Sequence, residues 1–525
     1  MTSRIRCNSV ESPTWSRLWL RWNRRRTKKK RKRSERTDAQ PNRRRSAMKM
    51  HRIAGLAAVI ALTVACGGSK KNPKVATKGP PGMKGPVVEA AAKKFDQALE
   101  QMVEHDKKAD WTDGICSSVA ELFLGAVEEQ RDATDKTLPE ALYNAGLAYQ
   151  RCAKHEEAKA QFKAALGAAP GFHRAKVQLA LYDYREKGDA VLDQTITRLN
   201  DAVIEAKFQN VDALVNLAML QMKRNGAASG TGCKNDMDCA KLNVQRALAI
   251  DDAYMPAFNQ LAIYYMNRAR AKGKRSTSKR RRLVAASGEK SELSGQMLDL
   301  AALVCSQAIR KNAKYAPIHN TLGLIQVEQK NINNAVQAFN KARSLDPNFF
   351  EAQMNYAAVN LSFRGFDKAE AAYRAALKMR PDNYEARLGL ALAIRGTIND
   401  SNLDAKMAEA DAELQKAKER DPSRPEAYFN EAILIQEYKA KYAPNENKKI
   451  ELYETAIRAF DTFIGKAGSA PEYADAVKNS NERKEDMRKI ISFIREGQKA
   501  EAEAKKSSQK PPAQKQPSQQ QPAKK

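Results

Sequence analysis

Histidine is scarce in this chain of 525 residues, which contains only five. Four of them, His105, His155, His173 and His319, are spread over separate segments rather than paired on one helix. The sequence also lacks a glycine-rich phosphate-binding loop and a nucleophile elbow. Because an active site needs convergent polar groups of such kinds, we expect no catalytic residue, no metal site and no cofactor.

Strand-like alternation of polar and apolar residues is missing as well. Long alanine-rich segments instead place apolar residues at i, i+3, i+4 and i+7, and proline or glycine separates one segment from the next. This spacing is typical of amphipathic helices. The sequence therefore predicts an all-α protein.

Positive charge is abundant, but it is confined to a few segments. The formal net charge is +31. Residues 1–47 contain seventeen Lys or Arg and only three acids, and Arg268 to Arg282 contains nine basic residues and no acid. Further lysines lie in 66–86 and 505–525, so the remainder is mildly acidic. A basic groove along a phosphate backbone is not supported, and we expect neither a nucleic-acid partner nor a small-molecule substrate.

An apolar stretch from Ile53 to Ala65 follows the short basic segment 48–52. It is too short to span a bilayer, and it matches a secretory signal. The sequence Thr-Val-Ala-Cys ending at Cys66 resembles the lipobox of bacterial lipoproteins, although that family usually has Leu where Thr63 stands. The resemblance implies cleavage before Cys66 and acylation of its thiol. The alternative is a buried helix with a chance cysteine.

A signal peptide at 48–65 conflicts with the residues that precede it, since such a signal must lie at the N-terminus. We expect residues 1–47 to be an upstream stretch included by a wrong start codon, with Met48 or Met50 as the true start. The alternative is a genuine basic segment of the nuclear-localisation or nucleic-acid-binding kind.

The other cysteines suit an oxidising compartment. Cys233 and Cys239 flank a short polar loop, which predicts a disulfide; a metal site is the alternative, but no histidine lies nearby. Cys116 and Cys152 form a second candidate pair, because both are expected to lie outside regular core positions. Cys305 is expected to be a buried thiol.

A 34-residue repeat identifies the kind of helical fold. Small residues stand at positions 8, 20 and 27, an aromatic residue at 24 and proline at 32, as in Gly146, Ala158, Ala165, Phe162 and Pro170. The pattern occurs in 139–172, 316–349 and 350–383 and resembles the tetratricopeptide repeat (TPR). Small residues let two helices approach closely, and proline ends the second helix. The resemblance implies a TPR α-solenoid, a right-handed superhelix of helical hairpins.

These features divide the chain into segments. We predict a leader at 1–47, a lipoprotein signal at 48–65, a flexible tether at 66–90 and N-terminal capping helices at 91–138. About eight TPR or TPR-like units follow at 139–467, interrupted by a disordered basic insertion at 268–296. A capping helix at 468–496 and a disordered tail at 497–525 complete the chain.

Two surfaces are candidates for binding. The first helices of TPR stacks line a concave face, and asparagines recur there, with Asn144, Asn216, Asn355 and Asn430 at position 6 of the repeat and Asn259 and Asn320 at position 5. The groove candidates are Asn216, Asn259, Asn320 and Asn355. The alternative is that asparagine is simply common at this position.

The basic loop is the second candidate surface. It consists of Arg268, Arg270, Lys272, Lys274, Arg275, Lys279, Arg280, Arg281 and Arg282. Such a run is either solvated or in contact with anionic envelope material, and the second case would give steep salt dependence.

Three stretches carry a closer resemblance. Phe208 to Met222, Asp251 to Met266 and Phe349 to Ala376 resemble the TPR-repeat lipoproteins of the adventurous gliding-motility machinery of myxobacteria. That family implies a lipid-anchored scaffold on the periplasmic face of the outer membrane, with other motility-complex proteins as partners. Alternatives are an adaptor for pilus assembly or cell-wall synthesis, and an intracellular TPR protein resembling a co-chaperone.

Overall fold

The structure, a computed structural model of the chain, describes residues 87–108, 110–230, 232–275 and 287–508. Nineteen α-helices account for most of these residues, and the only β contact among them is an isolated bridge between Ala227 and Asn235. The chain divides into two compact units, one ending at Ala313 and the other continuing from Lys314. The predicted all-α fold is confirmed.

The first unit contains ten described helices in five successive hairpins. They are α1 (Glu89–Lys108), α2 (Asp113–Thr134), α3 (Pro139–Arg151), α4 (His155–Ala168), α5 (His173–Lys187), α6 (Leu192–Glu205), α7 (Val211–Arg224), α8 (Asp236–Ile250), α9 (Met255–Arg275) and α10 (Ser287–Lys311).

The second unit contains four hairpins and a long final helix. They are α11 (Ala316–Glu328), α12 (Ile332–Leu345), α13 (Phe350–Ser362), α14 (Phe366–Met379), α15 (Tyr384–Thr397), α16 (Leu403–Arg420), α17 (Glu426–Leu434), α18 (Glu446–Ala467) and α19 (Ala474–Ser508). A π turn, Ile435–Lys439, extends α17.

Asparagine fixes the start of several helices. The side chains of Asn210, Asn235, Asn383 and Asn445 each accept a hydrogen bond from a backbone N–H in the first turn of the helix that follows. Such N-caps satisfy donors that have no partner within the helix, and each stabilises it by about 1 kcal/mol. The repeats therefore begin their helices at defined residues.

Close contact between a glycine and an aromatic ring holds the two helices of a hairpin together. Gly146 on α3 faces Phe162 on α4, and a Cβ atom at Gly146 would lie 2.6 Å from the ring. Gly323 on α11 and Phe339 on α12 repeat the arrangement, with a corresponding distance of 2.5 Å. Both rings are fully buried. The small residue at position 8 is therefore required by the ring at position 24.

The connection between α7 and α8 is held by a buried carboxylate. Asp236 is fully buried, and its oxygens accept hydrogen bonds from the Arg224 guanidinium at 2.7 and 2.8 Å. The Gly226 N–H and the Ser229 hydroxyl donate to the same carboxylate. A paired and fully hydrogen-bonded charge tolerates such burial. The described residues of this insertion, 225–230 and 232–235, thus form an ordered turn.

Two predicted boundaries are wrong. The basic insertion is predicted to be disordered over 268–296, but α9 continues to Arg275 and α10 begins at Ser287. The tail is predicted to be disordered from residue 497, but α19 continues to Ser508. Alanine, lysine, arginine and glutamate dominate 268–275 and 497–508 and favour helix, whereas 287–296 contains three serines and two glycines and has no such composition. Residues 276–286 and 509–525 lie outside the described residues, as do the predicted leader and signal.

The predicted capping and repeat regions have matching helices. Helices α1 and α2 occupy the stretch predicted to cap the N-terminal end, and eight hairpins follow between Pro139 and Ala467. None of the helices in the described part of the chain is long and apolar enough to cross a membrane.

Alanine substitutions at two glycines of the first unit test the hairpin contact. Gly146→Ala should lower the free energy of unfolding by about 1–3 kcal/mol, because the new methyl group collides with the buried Phe162 ring. Gly167→Ala on α4 should raise it by up to about 1 kcal/mol, since nothing lies near that position and alanine favours helix. Chemical denaturation measures both; a Gly146→Ala protein as stable as Gly167→Ala would contradict the packing described.

Candidate functional site

The first helices of successive hairpins contact one another and share polar side chains. Helix α7 contacts α9, and α11, α13, α15 and α17 contact one another in sequence. Side-chain hydrogen bonds join neighbouring first helices, from Gln150 to Gln178 at 3.2 Å and from Asn355 to Asn320 at 2.9 Å. We call the surface formed by the first helices within each unit its inner face.

The predicted asparagines have different environments on the inner faces. Asn216 is half-buried, and its side-chain N–H₂ donates to the Asp212 carbonyl one turn earlier, at 2.8 Å. Asn144 makes the same bond to the Glu140 carbonyl. These two side chains keep an amide oxygen that can accept a hydrogen bond from a ligand.

Three of the other asparagines are buried. Asn320 and Asn355 are each 8 % exposed and bond to each other. Asn430 is fully buried and accepts a hydrogen bond from Arg395 at 3.2 Å, whereas Asn259 is half-buried like Asn216. Of the four predicted groove residues, Asn216 and Asn259 are thus the more accessible. Their role in binding stays a prediction.

In the second unit, arginines neutralise the carboxylates at the second position of the repeat. Glu351 on α13 accepts a hydrogen bond from Arg380 at 3.1 Å. Arg424 donates to Glu385 and also to Glu426, with its guanidinium carbon 4.0 Å from the centre of the Tyr384 ring. Each carboxylate is therefore paired with an arginine, and the pairs connect successive hairpins.

In the first unit, the acids at this position have no arginine partner. Glu140 on α3 is 6 % exposed, and its Oε2 atom has no hydrogen-bond partner. Asp212 on α7 accepts a hydrogen bond from the Tyr254 hydroxyl. Arg174 occupies the equivalent position on α5 and is exposed, and neither carboxylate forms an ion pair with it. We call Glu140 and Asp212 the acidic pair.

Burial sets the protonation of the acidic pair. Desolvation raises the pKa of Glu140, and the contact with its own backbone N–H and the charge of Arg174 only partly oppose it. Desolvation likewise raises the pKa of Asp212, against the hydrogen bond from Tyr254. Burial also raises the pKa of Tyr143, and the charge of Asp212 contributes to this shift. The charge of Asp212 therefore acts on Tyr143, and the charge of Arg174 acts on both carboxyls.

Two disulfides lie in the first unit. Cys116 pairs with Cys152, with Cα atoms 6.3 Å apart, and Cys233 pairs with Cys239 at 5.0 Å. The expectation that both members of the first pair lie outside the core is wrong for Cys116, which is fully buried in α2. Cys305 is a buried free thiol, and burial raises its pKa to about 12. A thiol so rarely ionised is a poor nucleophile.

Five of the nine basic candidate residues lie on helix α9, and the other four lie outside the described residues. Arg268 and Arg270 are half-buried on α9, and Lys272, Lys274 and Arg275 belong to its last turns. Lys279, Arg280, Arg281 and Arg282 lie outside the described residues. Half of the predicted loop is therefore the end of a helix.

Other possible sites offer little chemistry. The described residues contain no cluster of three or more His, Cys, Asp or Glu that could hold a metal ion. An open cleft of about 530 Å³ lies between α18 and α19, with Ile457 and Ile491 among charged residues such as Arg488. Its Arg495 and Glu454 pair with each other at 2.8 Å. Nothing among its lining residues resembles a catalytic set.

Sequence reasoning did not identify the acidic pair. The TPR pattern specifies small, aromatic and proline positions, and position 2 is not among them. A signal was nevertheless present, because Glu140, Arg174 and Asp212 are all charged and all occupy the second position of successive first helices. Only the three-dimensional structure shows that Glu351 and Glu385 are paired with arginines whereas Glu140 and Asp212 are not.

Comparison with known proteins agrees with the repeat fold. Residues 139–172 and 316–349 match the tetratricopeptide repeat family. The chain therefore carries tetratricopeptide repeats, and its fold is an α-solenoid built of hairpins of that kind. A search of curated proteins gave no match.

Solved structures similar to parts of the chain include several such proteins. A thermophilic TPR protein of Thermus thermophilus, TTC0263, is 23 % identical, with 42 % of this chain and 99 % of that chain covered and a TM-score of 0.34. YrrB, a TPR protein with an unusual peptide-binding site, is 17 % identical, with coverages of 45 % and 97 % and a TM-score of 0.30. PilF of Pseudomonas aeruginosa is 14 % identical, with coverages of 51 % and 97 % and a TM-score of 0.32.

The pH dependence of stability tests the burial of Glu140. A carboxyl whose pKa is raised on folding contributes stability below its unfolded pKa, and this contribution is lost as pH rises through the folded pKa. Relative to wild type, Glu140→Gln should therefore gain thermal stability between pH 4 and pH 7, by about 1 kcal/mol. Glu351→Gln is the control and should gain nothing, since Arg380 stabilises that charge. If the stability of Glu140→Gln relative to wild type falls as pH rises from 4 to 7, the burial assigned to Glu140 is contradicted.

Proposed function

We propose that this protein is a lipid-anchored scaffold on the periplasmic face of the outer membrane, and that it binds other proteins of an envelope-spanning motility complex. The observation that carries the proposal is the pair of inner faces, where polar side chains of successive first helices lie side by side. A surface of this kind suits an extended segment of another protein, because its hydrogen-bonding groups repeat at the spacing of the hairpins. The role is binding rather than catalysis.

Three features of the sequence support the envelope location. Cys66 follows a signal-like apolar stretch, and lipid attached there would anchor the chain, with 66–86 as a tether. Two disulfides in the first unit suit an oxidising compartment. The resemblance of Phe208 to Met222, Asp251 to Met266 and Phe349 to Ala376 to the gliding-motility lipoproteins supports the motility role.

Lipid labelling tests the anchor. Cells given an alkyne-bearing palmitate should yield labelled wild-type protein in the outer-membrane fraction, because the diacyl group is added at Cys66. A Cys66→Ser variant should be unlabelled and retain its signal sequence. Mass spectrometry of the mature N-terminus is the second readout. A wild-type protein that remains unlabelled, with residues 1–47 intact, would overturn the anchor and favour an intracellular TPR protein.

Capture from envelope fractions tests the inner faces. The variant Asn144→Ala/Asn216→Ala should retain less than about a tenth of the partner proteins bound by wild type, because both amide oxygens can accept a hydrogen bond from a ligand and each lost bond weakens binding by about 1 kcal/mol. Lys163→Ala/Gln245→Ala is the matched control, with both residues exposed on second helices of the same unit.

The control variant should bind as wild type does. Equal capture by all three proteins would reject the inner faces as the binding surface. Captured proteins belonging to pilus assembly or cell-wall synthesis, with motility proteins absent, would reject the motility role while leaving the scaffold role in place.

A further inference from the structure

The long final helix, α19, extends beyond the helices on which it packs. Arg483 on α19 donates to Glu437 at 3.0 Å, in the π turn that ends α17. Gln498, four turns later, donates to Asn447 at 3.0 Å, in the first turn of α18. The helix then continues to Ser508. Because a helix rises 1.5 Å per residue, about 15 Å of α19 lies past the start of α18.

An exposed apolar stripe runs along the part of α19 that lies beyond α17. Phe493 is 78 % exposed and Ile490 is 37 % exposed. Small residues continue the stripe, and they are exposed as well. Their spacing of three and four residues places all of them on one side of the helix. We call this set the α19 stripe; its members are Ile490, Phe493, Gly497, Ala500 and Ala504.

Two members of the stripe are unfavourable in a helix that faces water. Burial of a phenylalanine side chain contributes about 2–3 kcal/mol, which Phe493 does not gain within its own unit. A glycine inside a helix costs about 1 kcal/mol relative to alanine. Nothing lies within 4 Å of a Cβ atom built at Gly497, so packing within the unit does not require a glycine there. A second helix that crosses at Gly497 could approach closely.

The order of large and small residues makes the stripe complementary to a reversed copy of itself. Ile490 and Phe493 precede Gly497, and Ala500 and Ala504 follow it at nearly the same intervals. In an antiparallel pair of α19 helices centred on Gly497, Phe493 of each copy lies over Ala500 of the other. Ile490 lies over Ala504 in the same way. A parallel pair would instead place Phe493 against Phe493, whereas a two-fold interface needs such self-complementarity.

Charges beside the stripe are complementary in the same arrangement. Lys489 and Glu503 are exposed on one flank of the stripe, close to its two ends. Within the chain, Lys489 is 3.6 Å from Glu485, and Glu503 forms no ion pair with any described residue. Antiparallel pairing brings Lys489 of each copy beside Glu503 of the other, so that two ion pairs form. They outnumber the single contact between the two copies of Glu496 near the centre.

We propose that two copies of this protein associate through antiparallel packing of their α19 stripes. The overlap involves residues 490–504 of each copy, which lie beyond the end of α17. The inference goes beyond the proposed function, since it concerns a surface outside the hairpins. Residues 509–525 of the same chain are a poor occupant of the stripe, because they contain no aromatic residue and no leucine, isoleucine, valine or methionine to cover Phe493.

Sedimentation equilibrium of the full-length chain tests this association. Every protein compared carries Cys66→Ser, so that no lipid is attached. The parent chain should form a reversible dimer. Phe493→Ala should weaken the dimer at least about tenfold, because alanine buries much less apolar surface. Phe363→Ala is the matched control: this aromatic side chain in the second unit is 46 % exposed, and its loss should change the dimer Kd less than about twofold.

Charge reversal tests the antiparallel orientation. Lys489→Glu and Glu503→Lys should each dimerise several-fold more weakly, because both ion pairs become contacts between like charges. A mixture of the two variants should associate as tightly as the parent chain does. In the antiparallel heterodimer, each reversed charge faces the other reversed charge, and each native residue faces a native one. Restoration by mixing cannot result from misfolding of either variant.

Several outcomes would overturn the inference. These are a parent chain that stays monomeric, equal weakening by Phe493→Ala and Phe363→Ala, or a mixture of the charge variants that associates no more tightly than each variant alone. A monomeric chain that loses a different bound protein with Phe493→Ala would assign the stripe to that protein instead. If the dimer is absent while Asn144→Ala/Asn216→Ala still loses partner proteins, the proposed function stands and only this inference fails.

Discussion

Close packing of one glycine against one aromatic ring determines how the helices of these hairpins are arranged. Gly146 with Phe162, and Gly323 with Phe339, leave no space for even a methyl group between the two helices. This contact fixes the distance between first and second helices, and the next hairpin then packs on the pair. Burial of the ring supplies about 2–3 kcal/mol at each such site. In these two hairpins the contact holds the first helix, and with it that part of the inner face, at a fixed distance from the second helix.

The carboxylates at position 2 of the repeat have different partners in the two units. In the second unit, Arg380 and Arg424 use the carboxylates at position 2 to connect hairpins, and the Arg424 guanidinium also covers the Tyr384 ring. In the first unit, Glu140 and Asp212 lack arginine partners, and desolvation raises the pKa of both. One repeat position therefore carries ion-paired carboxylates in the second unit and carboxyls of raised pKa in the first.

The repeating part of the fold could be predicted from the sequence because its contacts are local. Positions 8 and 24 of one hairpin lie sixteen residues apart, so Gly146 and Phe162 stand in a fixed pattern along the chain. The helical start of the basic insertion, 268–275, could not be predicted, since a run of positive charge indicates a loop although its residues favour helix. The burial of Cys116 could not be predicted either, because the repeat pattern does not extend to the capping helices.

The acidic pair could not be predicted because pairing of charges depends on distant residues. Glu351 is satisfied by Arg380, 29 positions later, and Glu385 by Arg424, 39 positions later. No periodic signal tells which carboxylates acquire such a partner. The asparagines illustrate the same limit, since Asn320 and Asn355 bond to each other whereas Asn216 bonds to its own helix. The repeat pattern places polar residues on one face, and only the fold shows which of them remain available to a ligand.

The central claim is that this protein binds other proteins through the inner faces of its hairpins. Site-specific photo-crosslinking in intact cells tests it most directly, with the photoreactive amino acid placed at Asn216 on α7 or at Gln245 on the second helix α8. Both positions belong to one hairpin, so anchoring, abundance and folding are matched. The account predicts crosslinked partner proteins from position 216 and few or none from position 245. Crosslinks of equal yield at the two positions, or crosslinks only from position 245, would contradict it.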